Sequence, residues 1–427
     1  MTSDITDYTI TGGFMKQVDF ETLKKIYGDD ASAAADRYAS VASHFQSEYG
    51  EGEVTYFTAP GRTEIVGNHT DHNGGKVIAA SITLDTIGAA RATDRDEINV
   101  ISEGYSPIRI YLDRIGEVPK ESGTLSLIAG MVEGARNMGY KVGGFDAYCS
   151  TNVIAAAGVS SSASFEMLIC AIINHFYNND SIPYSDYARI GQYSENHFWN
   201  KASGLMDQMA CAVGGAIQLD FAGDIKYEQI EFDLTGMGYG MVITNTGKGH
   251  ADLSDDYSAI PSEMRAVAAA FGKERLCEIT IDEFNDKLPE LMDSIGNDRA
   301  LMRAFHFLTE NQRVIDMAQA LSDRDMSRIK AILTESGNSS WKYLQNCYTT
   351  ADLKTQRISL ALAVSEQYIK KLGDGCCRVH GGGFAGVIQC ILPKDKVDEY
   401  VELMSRHFGS ENVYPMSIRA TGAVTVA

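Results

Sequence analysis

The chain has 427 residues, of which 44% are hydrophobic, and its 57 acidic and 37 basic side chains give a formal net charge of −20. The acidic excess argues against broad binding to nucleic acids or anionic membranes, because such partners are held mainly by pooled cationic charge. A length of this order predicts two or three domains with real hydrophobic cores.

Strand-like and helical stretches alternate in the first half of the chain. A helical region over residues 23–49 precedes a short strand at 54–57, and we expect that strand to break at the Ala-Pro-Gly of residues 59–61. Residues 76–90, rich in Val, Ile and Thr, predict a second strand, and the alternation over 145–149 predicts a third. The first half therefore indicates mixed α and β structure.

The second half of the chain is more helical. The predicted helices span residues 261–276, 299–321 and 355–372, and the predicted strands span 239–246, 386–392 and 423–427. A change of pattern near residues 219–232 is our candidate boundary, which divides the chain into an N-terminal domain over 1–222 and a C-terminal domain over 223–427. Two α+β domains with a cleft between them are the economical interpretation.

Signals for redox chemistry and targeting are few. The eight cysteines form no CxxC pair, which indicates reduced, mostly buried thiols. The first residues show no basic start followed by an apolar core, and no apolar stretch approaches the ~18 residues that a membrane helix needs. We therefore expect a soluble, cytoplasmic protein.

The loop of residues 155–163, AAAGVSSSA, has the form of a phosphate cradle. Small side chains let an anion approach the backbone, and the N–H groups and dipole at a helix start favour negative charge. Apolar residues recur at helical spacing over 165–176, which indicates that the loop opens a helix. A helix that is merely capped by a serine, with no role in binding, would show much the same sequence. The loop also lacks the Walker pattern of other phosphate-binding loops.

Residues 61–75, GRTEIVGNHTDHNGG, gather a guanidinium, two histidines, carboxylate and amide groups between glycines. This density suits a polyhydroxylated ligand, which needs paired donors and acceptors on a rigid backbone. An alternative is a transition-metal site at His69, Asp71 and His72, although no further cluster completes a ligand set. The closing Asn-Gly-Gly also predicts a hairpin turn.

Two further segments are candidates for chemistry. Glu195 lies on a predicted helix, and Asp207 follows twelve residues later among apolar neighbours. Asp207 has an alternative role as the N-cap of a short helix. The glycine run of residues 380–386, HGGGFAG, either lets the backbone approach a ligand closely or forms a tight turn.

Taken in order, these four segments resemble the motifs of the GHMP kinase superfamily, most closely those of galactokinases. Residues 61–75 resemble the sugar motif GRVNLIGEHTDYNGG, and residues 155–166 resemble the phosphate loop PxGxGLSSSAxxE. GLMDQ at 204–208 resembles the catalytic GIMDQ, and residues 380–386 resemble the third motif TGGGFGG. Four ordered matches are far more specific than any one of them.

The resemblance implies the GHMP kinase fold, an α+β architecture of two domains with the active site in the cleft between them. The N-terminal domain of this fold is like ribosomal protein S5 domain 2, and the C-terminal domain is ferredoxin-like. The implied enzyme is a galactokinase-type sugar 1-kinase, which transfers phosphate from ATP to the C1 hydroxyl of galactose and uses Mg²⁺. The sugar and ATP are its implied partners, and we expect a monomer.

The resemblance also implies roles for residues at the motif positions. Arg62 and Asp207 flank the reacting hydroxyl, and Asp207 either accepts its proton or only orients it. Ser162 and Glu195 hold Mg²⁺. The implied phosphate-loop residues are Ala157, Gly158, Val159, Ser160, Ser161, Ser162 and Ala163. The implied sugar-binding residues are Arg62, Asn68, His69, Asp71, Gly204, Asp207 and Tyr257.

The chain departs from the family motifs at several positions. Ile154 and Ala156 replace a proline and a glycine of the phosphate loop, Ala385 replaces a glycine of the third motif, and His380 replaces its threonine. Asn68 replaces the glutamate that contacts the C6 hydroxyl of the sugar in galactokinases. Asparagine still donates and accepts hydrogen bonds, but the lost charge removes a repulsion against a C6 carboxylate.

Three alternatives follow from these patterns. The first is a different acceptor, either galacturonate or arabinose, which lacks C6. The second is a sensor that binds sugar and ATP without transfer, although the residues required for transfer are all present. The third is a metal-dependent hydrolase built on the two histidines of the sugar motif and the aspartate between them.

Overall fold

The computed structural model describes residues 18–121, 123–154, 158–200, 203–247, 254–384 and 386–427. Ala157 of the predicted phosphate-loop set lies outside these residues, as do Ala156 and Ala385. The helices are α1 (Phe20–Tyr27), α2 (Ala31–Tyr49), α3 (Thr124–Asn137), α4 (Ser161–Asn178), α5 (Tyr184–His197), α6 (Met206–Val213), α7 (Ser254–Ala270), α8 (Ile281–Ile295), α9 (Asp298–Ser322), α10 (Met326–Ser339), α11 (Arg357–Leu372) and α12 (Val397–Phe408). The strands are β1 (Thr55–Val66), β2 (Lys76–Ala92), β3 (Glu97–Ser102), β4 (Ile108–Tyr111), β5 (Phe145–Thr151), β6 (Ala216–Asp220), β7 (Lys226–Ile230), β8 (Tyr239–Asn245), β9 (Cys376–Val379), β10 (Val387–Pro393), β11 (Val413–Met416) and β12 (Val424–Thr425).

The larger sheet has the order β12-β1-β2-β5-β3-β4, with β6 beside β2 and β7 beside β6. Helix α2 packs on one face of this sheet, and α4 packs on the other. The alternation predicted for β5 is confirmed, because Phe145, Ala147 and Cys149 enter the core under α4 while Tyr148 enters the core under α2. Both faces of the sheet are therefore buried.

Strand β1 does not break at Ala-Pro-Gly, and that prediction is wrong. The strand continues to Val66, with a shift of register against β2 between Pro60 and Arg62. Proline lacks the N–H that a strand ladder needs, and a bulge at this point absorbs the defect. A Cβ on Gly61 would stand 2.8 Å from the carbonyl oxygen of Val159. Glycine at this position thus lets the strand pass close to the phosphate loop.

The smaller sheet is antiparallel and has the order β11-β8-β10-β9. Helices α11 and α12 cover one face. On the other face, Ile243 and Ile391 share a core with residues of α9 and α10 and with Ile65 and Ile78 of the larger sheet. This shared core joins the two sheets close to the turn where β1 ends and β2 begins.

Most predicted elements of the second half are confirmed, with two differences of extent. Helix α7 spans Ser254–Ala270 instead of residues 261–276, so it begins and ends earlier than predicted, and it contains Pro261. The missing N–H of that proline costs one helical hydrogen bond, while neighbouring Ile260 and Met264 pack in a buried core. The last strand, β12, covers only part of the predicted range.

The division of the chain at residue 222 stays a prediction. Beyond that point, β7 pairs with β6 and β12 pairs with β1, and both pairings extend the larger sheet. We propose that these two short segments belong with the N-terminal domain. Across the part of the chain that the structure describes, no helix is both long enough and apolar enough to cross a membrane.

Candidate active site

Arg62 and Asp207 form an ion pair at the centre of the site. Arg62 follows the bulge in β1, and its Nε and Nη2 atoms lie 2.8 and 2.7 Å from Oδ1 of Asp207. Asp207 is the second residue of α6, so it is not the N-cap, which is Leu205. The Arg62 residue is 7% exposed, whereas the Asp207 side chain is 28% exposed. The guanidinium is therefore largely buried, and the carboxylate is partly exposed to solvent.

The part of the phosphate loop that the structure describes, from Gly158 onward, forms hydrogen bonds with this pair. Arg62 Nη1 donates a hydrogen bond to the carbonyl oxygen of Gly158, and the Ser160 hydroxyl donates to Oδ2 of Asp207. Ser160 precedes α4 with φ +57°, a left-handed conformation that costs energy for a residue with a side chain. Its hydroxyl points at Asp207 rather than capping the helix, which contradicts the serine-cap alternative. The start of α4 and Asp207 are thus joined directly.

Ser162 and Glu195 meet, as the motif positions imply. The Ser162 hydroxyl donates to Oε1 of Glu195 over 3.0 Å, and Gln208 Nε2 lies 3.2 Å from Oε2 of the same carboxylate. A hydroxyl and a carboxylate are hard oxygen ligands, which suits Mg²⁺ held between protein and substrate phosphates. Among the described residues, no group of three or more His, Cys, Asp or Glu side chains is arranged to hold a metal ion. Within the described residues, the metal site that the hydrolase alternative requires is therefore not formed.

The glycine run of the third motif lies against the sugar motif and α7. His69 Nε2 donates to the carbonyl oxygen of Gly382 over 2.9 Å, and the Tyr257 hydroxyl donates to that of Gly383 over 2.7 Å. A Cβ on Gly382 would stand 2.5 Å from the Tyr257 ring, so only glycine permits this approach. The run therefore joins the sugar motif to α7.

Two more of the predicted sugar-binding residues lie side by side. A Cβ on Gly204 would stand 3.1 Å from Oδ2 of Asp71. Gly204 precedes α6, which carries Asp207, and Asp71 lies in the turn between β1 and β2. The structure thus brings the sugar motif and the catalytic GLMDQ segment together.

The side chain of Asn68 is held by hydrogen bonds within the protein. Its side chain is buried, and Nδ2 donates to Glu64 Oε1 over 3.1 Å and to the Gly381 carbonyl oxygen over 2.7 Å. Its Oδ1 accepts from Asn346 Nδ2 over 2.7 Å. Relative to the motif, Asn and Glu have exchanged positions 64 and 68, and the carboxylate at 64 pairs with buried Arg378 at 3.0 Å. In this structure the Asn68 amide serves the protein framework, and its sugar contact stays a prediction.

His380 links the third motif to the sugar motif, a role that the sequence does not predict. Gln389 donates to the Thr63 hydroxyl, which leaves the Thr63 hydrogen for His380 Nε2 at 2.9 Å. The backbone N–H of Glu64 also points at Nε2, over 3.3 Å. Burial, together with the nearby Arg62 charge, lowers the pKa of His380 to about 3. His380 is therefore a neutral structural acceptor.

The fold and this site define a GHMP kinase. Residues 126–215 match the family model for the GHMP kinases N terminal domain, and residues 43–92 match the galactokinase galactose-binding signature. The galactokinase of Clostridium tetani is 32% identical over 84% of this chain and 89% of its own length. That of Lactococcus lactis subsp. lactis is 28% identical over 89% and 93%. The chain belongs to the galactokinase family.

Solved structures agree with this assignment. The crystal structure of Lactococcus lactis galactokinase complexed with galactose superposes with a TM-score of 0.78 at 26% identity, covering 91% of this chain and 99% of the other. A crystal structure of mevalonate kinase reaches a TM-score of 0.60 at 13% identity, covering 86% and 99%. The second likeness shows the shared fold alone.

Proposed function

We propose that the protein is an ATP- and Mg²⁺-dependent kinase that phosphorylates the C1 hydroxyl of galactose, giving galactose 1-phosphate and ADP. The observation that carries the proposal is the attachment of the Arg62–Asp207 pair to the phosphate loop, through the Gly158 carbonyl and the Ser160 hydroxyl. A phosphoryl group at the start of α4 and a sugar hydroxyl at Asp207 would be neighbours there. The galactokinase names of the relatives support galactose as the acceptor.

The chemistry follows from what phosphoryl transfer requires. Its transition state is loose, and most of the acceleration comes from positioning and from neutralising charge. Arg62 supplies a fixed positive charge beside Asp207, and the N–H groups at the start of α4 face the nucleotide phosphates. Ser162 and Glu195 would hold Mg²⁺, which neutralises phosphate charge when bound. Asp207 accepts the proton of the C1 hydroxyl or orients that hydroxyl.

The surface that His69, Asp71 and Tyr257 form, here called the sugar wall, suits a polyhydroxylated acceptor. His69 and Tyr257 give their hydrogens to carbonyl oxygens of the glycine run, so a ring nitrogen and a phenol oxygen stay as acceptors near the Asp71 carboxylate. Hydroxyl groups both donate and accept, so they can pair with each of these groups. Asn68 carries no charge, and the carboxylate that stands at position 64 instead is paired with Arg378. A C6 carboxylate would therefore meet less repulsion than the family motif gives, and the acidic relatives of galactose are a second candidate acceptor.

An acceptor panel tests the proposal. ADP release is measured with MgATP and galactose, galacturonate, arabinose, N-acetylgalactosamine or mevalonate, and the product is examined by NMR. We expect turnover with galactose and phosphate on C1. Absence of turnover with every sugar would refute the kinase assignment, and thermal stabilisation by galactose without ADP would support the sensor instead. Turnover with galacturonate alone would mean that the acceptor is galacturonate and not galactose.

A further inference from the structure

Two buried polar side chains of α9 form hydrogen bonds with the backbone of the sugar motif. His306 Nε2 donates to the carbonyl oxygen of Asn68 over 2.9 Å. Glu310 Oε1 accepts from the N–H of Gly67 over 3.1 Å and from that of Asn68 over 3.4 Å. His306 and Glu310 are both 0% exposed, and they lie one helical turn apart on the same face of α9. None of the four motifs contains either residue.

The protonation states of this pair are set by their partners. A carbonyl oxygen only accepts, so His306 carries its hydrogen on Nε2, and Nδ1 accepts from the Ser339 hydroxyl over 2.9 Å. Burial lowers the pKa of His306, which keeps the ring neutral. Burial alone raises the pKa of Glu310, but the Arg313 and Arg378 charges and the Ser336 hydroxyl hold that pKa below its usual range. Glu310 is therefore an ionised acceptor with its other oxygen 2.7 Å from Arg313 Nε.

The backbone that the pair holds is a strained turn. Gly67 has φ +107°, and His69 has φ +58° although it carries a side chain. The left-handed conformation costs energy at a residue with a side chain, such as His69, and persists only where the surroundings impose it. A Cβ on Gly67 would stand 2.6 Å from the Lys76 carbonyl oxygen, so the turn also packs tightly against β2. The direction in which His69 points depends on this turn.

We propose that His306 and Glu310 are positioning residues that hold the turn of residues 67–69 so that His69 and Asp71 face the acceptor sugar. Neither residue touches the sugar, and both act through the backbone of the turn. The inference rests on the proposed function in one respect, namely that this wall of the cleft binds the acceptor. It adds α9, more than 200 residues along the chain, to the parts that determine sugar affinity.

The test compares sugar and nucleotide binding in matched variants. Galactose and, separately, Mg·ADP are titrated by calorimetry into the full chain. Glu310→Gln keeps an amide oxygen for the two N–H groups but removes the negative charge. Charge-assisted hydrogen bonds are roughly twice as strong as neutral ones, which for two bonds corresponds to about 10–100-fold in affinity. We expect galactose affinity to fall by that factor while Mg·ADP affinity changes less than about twofold. Equal losses for both ligands, or no loss for galactose, would overturn the inference.

A second pair of variants keeps the test decisive if Glu310→Gln folds poorly. The amide of glutamine reaches the position of His Nε2, whereas that of asparagine reaches only Nδ1. His306→Gln should therefore keep the bond to the Asn68 carbonyl and retain galactose affinity within about threefold. His306→Asn should lose about tenfold. The same affinity in both variants would count against a positioning role.

Asp146→Asn is the control for a purely structural loss. Asp146 is a buried carboxylate of β5, paired with Arg95 and 2.9 Å from Asn99 Nδ2. We expect this variant to unfold at a lower temperature without separating galactose from Mg·ADP affinity. A wild-type chain that binds galactose but releases no ADP would defeat the proposed function alone, since the binding comparison would remain valid. A wild-type chain that binds none of the panel sugars would defeat both.

Discussion

Two carboxylates bound by arginine show how the same chemistry serves different ends in this molecule. Asp85 is 0% exposed and accepts from Arg37 at 2.6 Å, Arg419 at 2.7 Å and the Tyr27 hydroxyl at 2.6 Å. Asp207 is held by Arg62 and Ser160, yet 28% of its side chain stays exposed. Solvent access, not the ion pair itself, separates the proposed catalytic carboxylate from the structural one.

The Asp85 cluster connects distant parts of the chain. Tyr27 lies at the end of α1 and Arg37 on α2, while Arg419 comes from the segment before β12. All of them converge on one residue of β2. Removing one member of such a buried set leaves uncompensated charge, which costs far more than an exposed pair is worth. The cluster therefore fixes the two ends of the described chain to the larger sheet.

The largest expected effect is on catalysis at Asp207. Asp207→Ala should lower turnover by ~10²-fold or more, because a positioned acid or base contributes about that much. Galactose binding should remain measurable. Steady-state assays with calorimetry check both parts.

A matched control separates catalysis from loss of an ion pair. Asp220 has a similarly exposed side chain, at 31%, and pairs with Lys76. Asp220→Ala should leave turnover near that of the wild type. A near-wild-type rate for Asp207→Ala would remove Asp207 from its role.

The next effect is on stability at Asp85. Asp85→Asn should lower the free energy of unfolding by ~3–5 kcal/mol, since two guanidinium groups lose their buried partner. Urea denaturation measures the change. Should the variant not fold, Tyr27→Phe removes one hydrogen bond to the same carboxylate and should cost ~1–3 kcal/mol. A loss below ~1 kcal/mol for Asp85→Asn would mean that the cluster contributes little.

The smallest effect is the acid dependence of this cluster. Burial favours protonation of Asp85, but Arg37 and Arg419 outweigh it and lower its pKa. A carboxyl whose pKa is lower in the folded state adds stability above its unfolded pKa of about 4 and loses it as pH falls through the folded value. The gap in melting temperature between wild type and Asp85→Asn should thus be constant from pH 7 to about 5 and shrink below pH 4. A gap that widens with acid would contradict this assignment.

Much of the reaction centre could be predicted because the motifs preserve residue identities at fixed spacings. Arg62, Ser162, Glu195 and Asp207 do converge, although local periodicity alone says nothing about contacts between segments 100 residues apart. The bulge at Pro60 was missed, because proline and glycine break strands and also form bulges within them.

The supporting residues were missed for a different reason. His306 and Glu310 lie on the buried face of α9, beside Phe307 and Val314. Buried polar side chains on an apolar helix face were the available signal, but their partner is a backbone turn more than 200 residues away. Asn346 likewise reaches Asn68 only through the tertiary fold. Such contacts depend on packing between elements, which sequence spacing does not encode.

A crystal structure of the protein with galactose and Mg·ADP would test the central claim most directly. The account predicts the C1 hydroxyl of galactose within about 2.6–3.2 Å of an Asp207 carboxylate oxygen, on the side that faces the start of α4. It also predicts the ring hydroxyls of the sugar along the His69 and Tyr257 wall. Galactose bound with another hydroxyl at Asp207, or outside this cleft, would contradict the account.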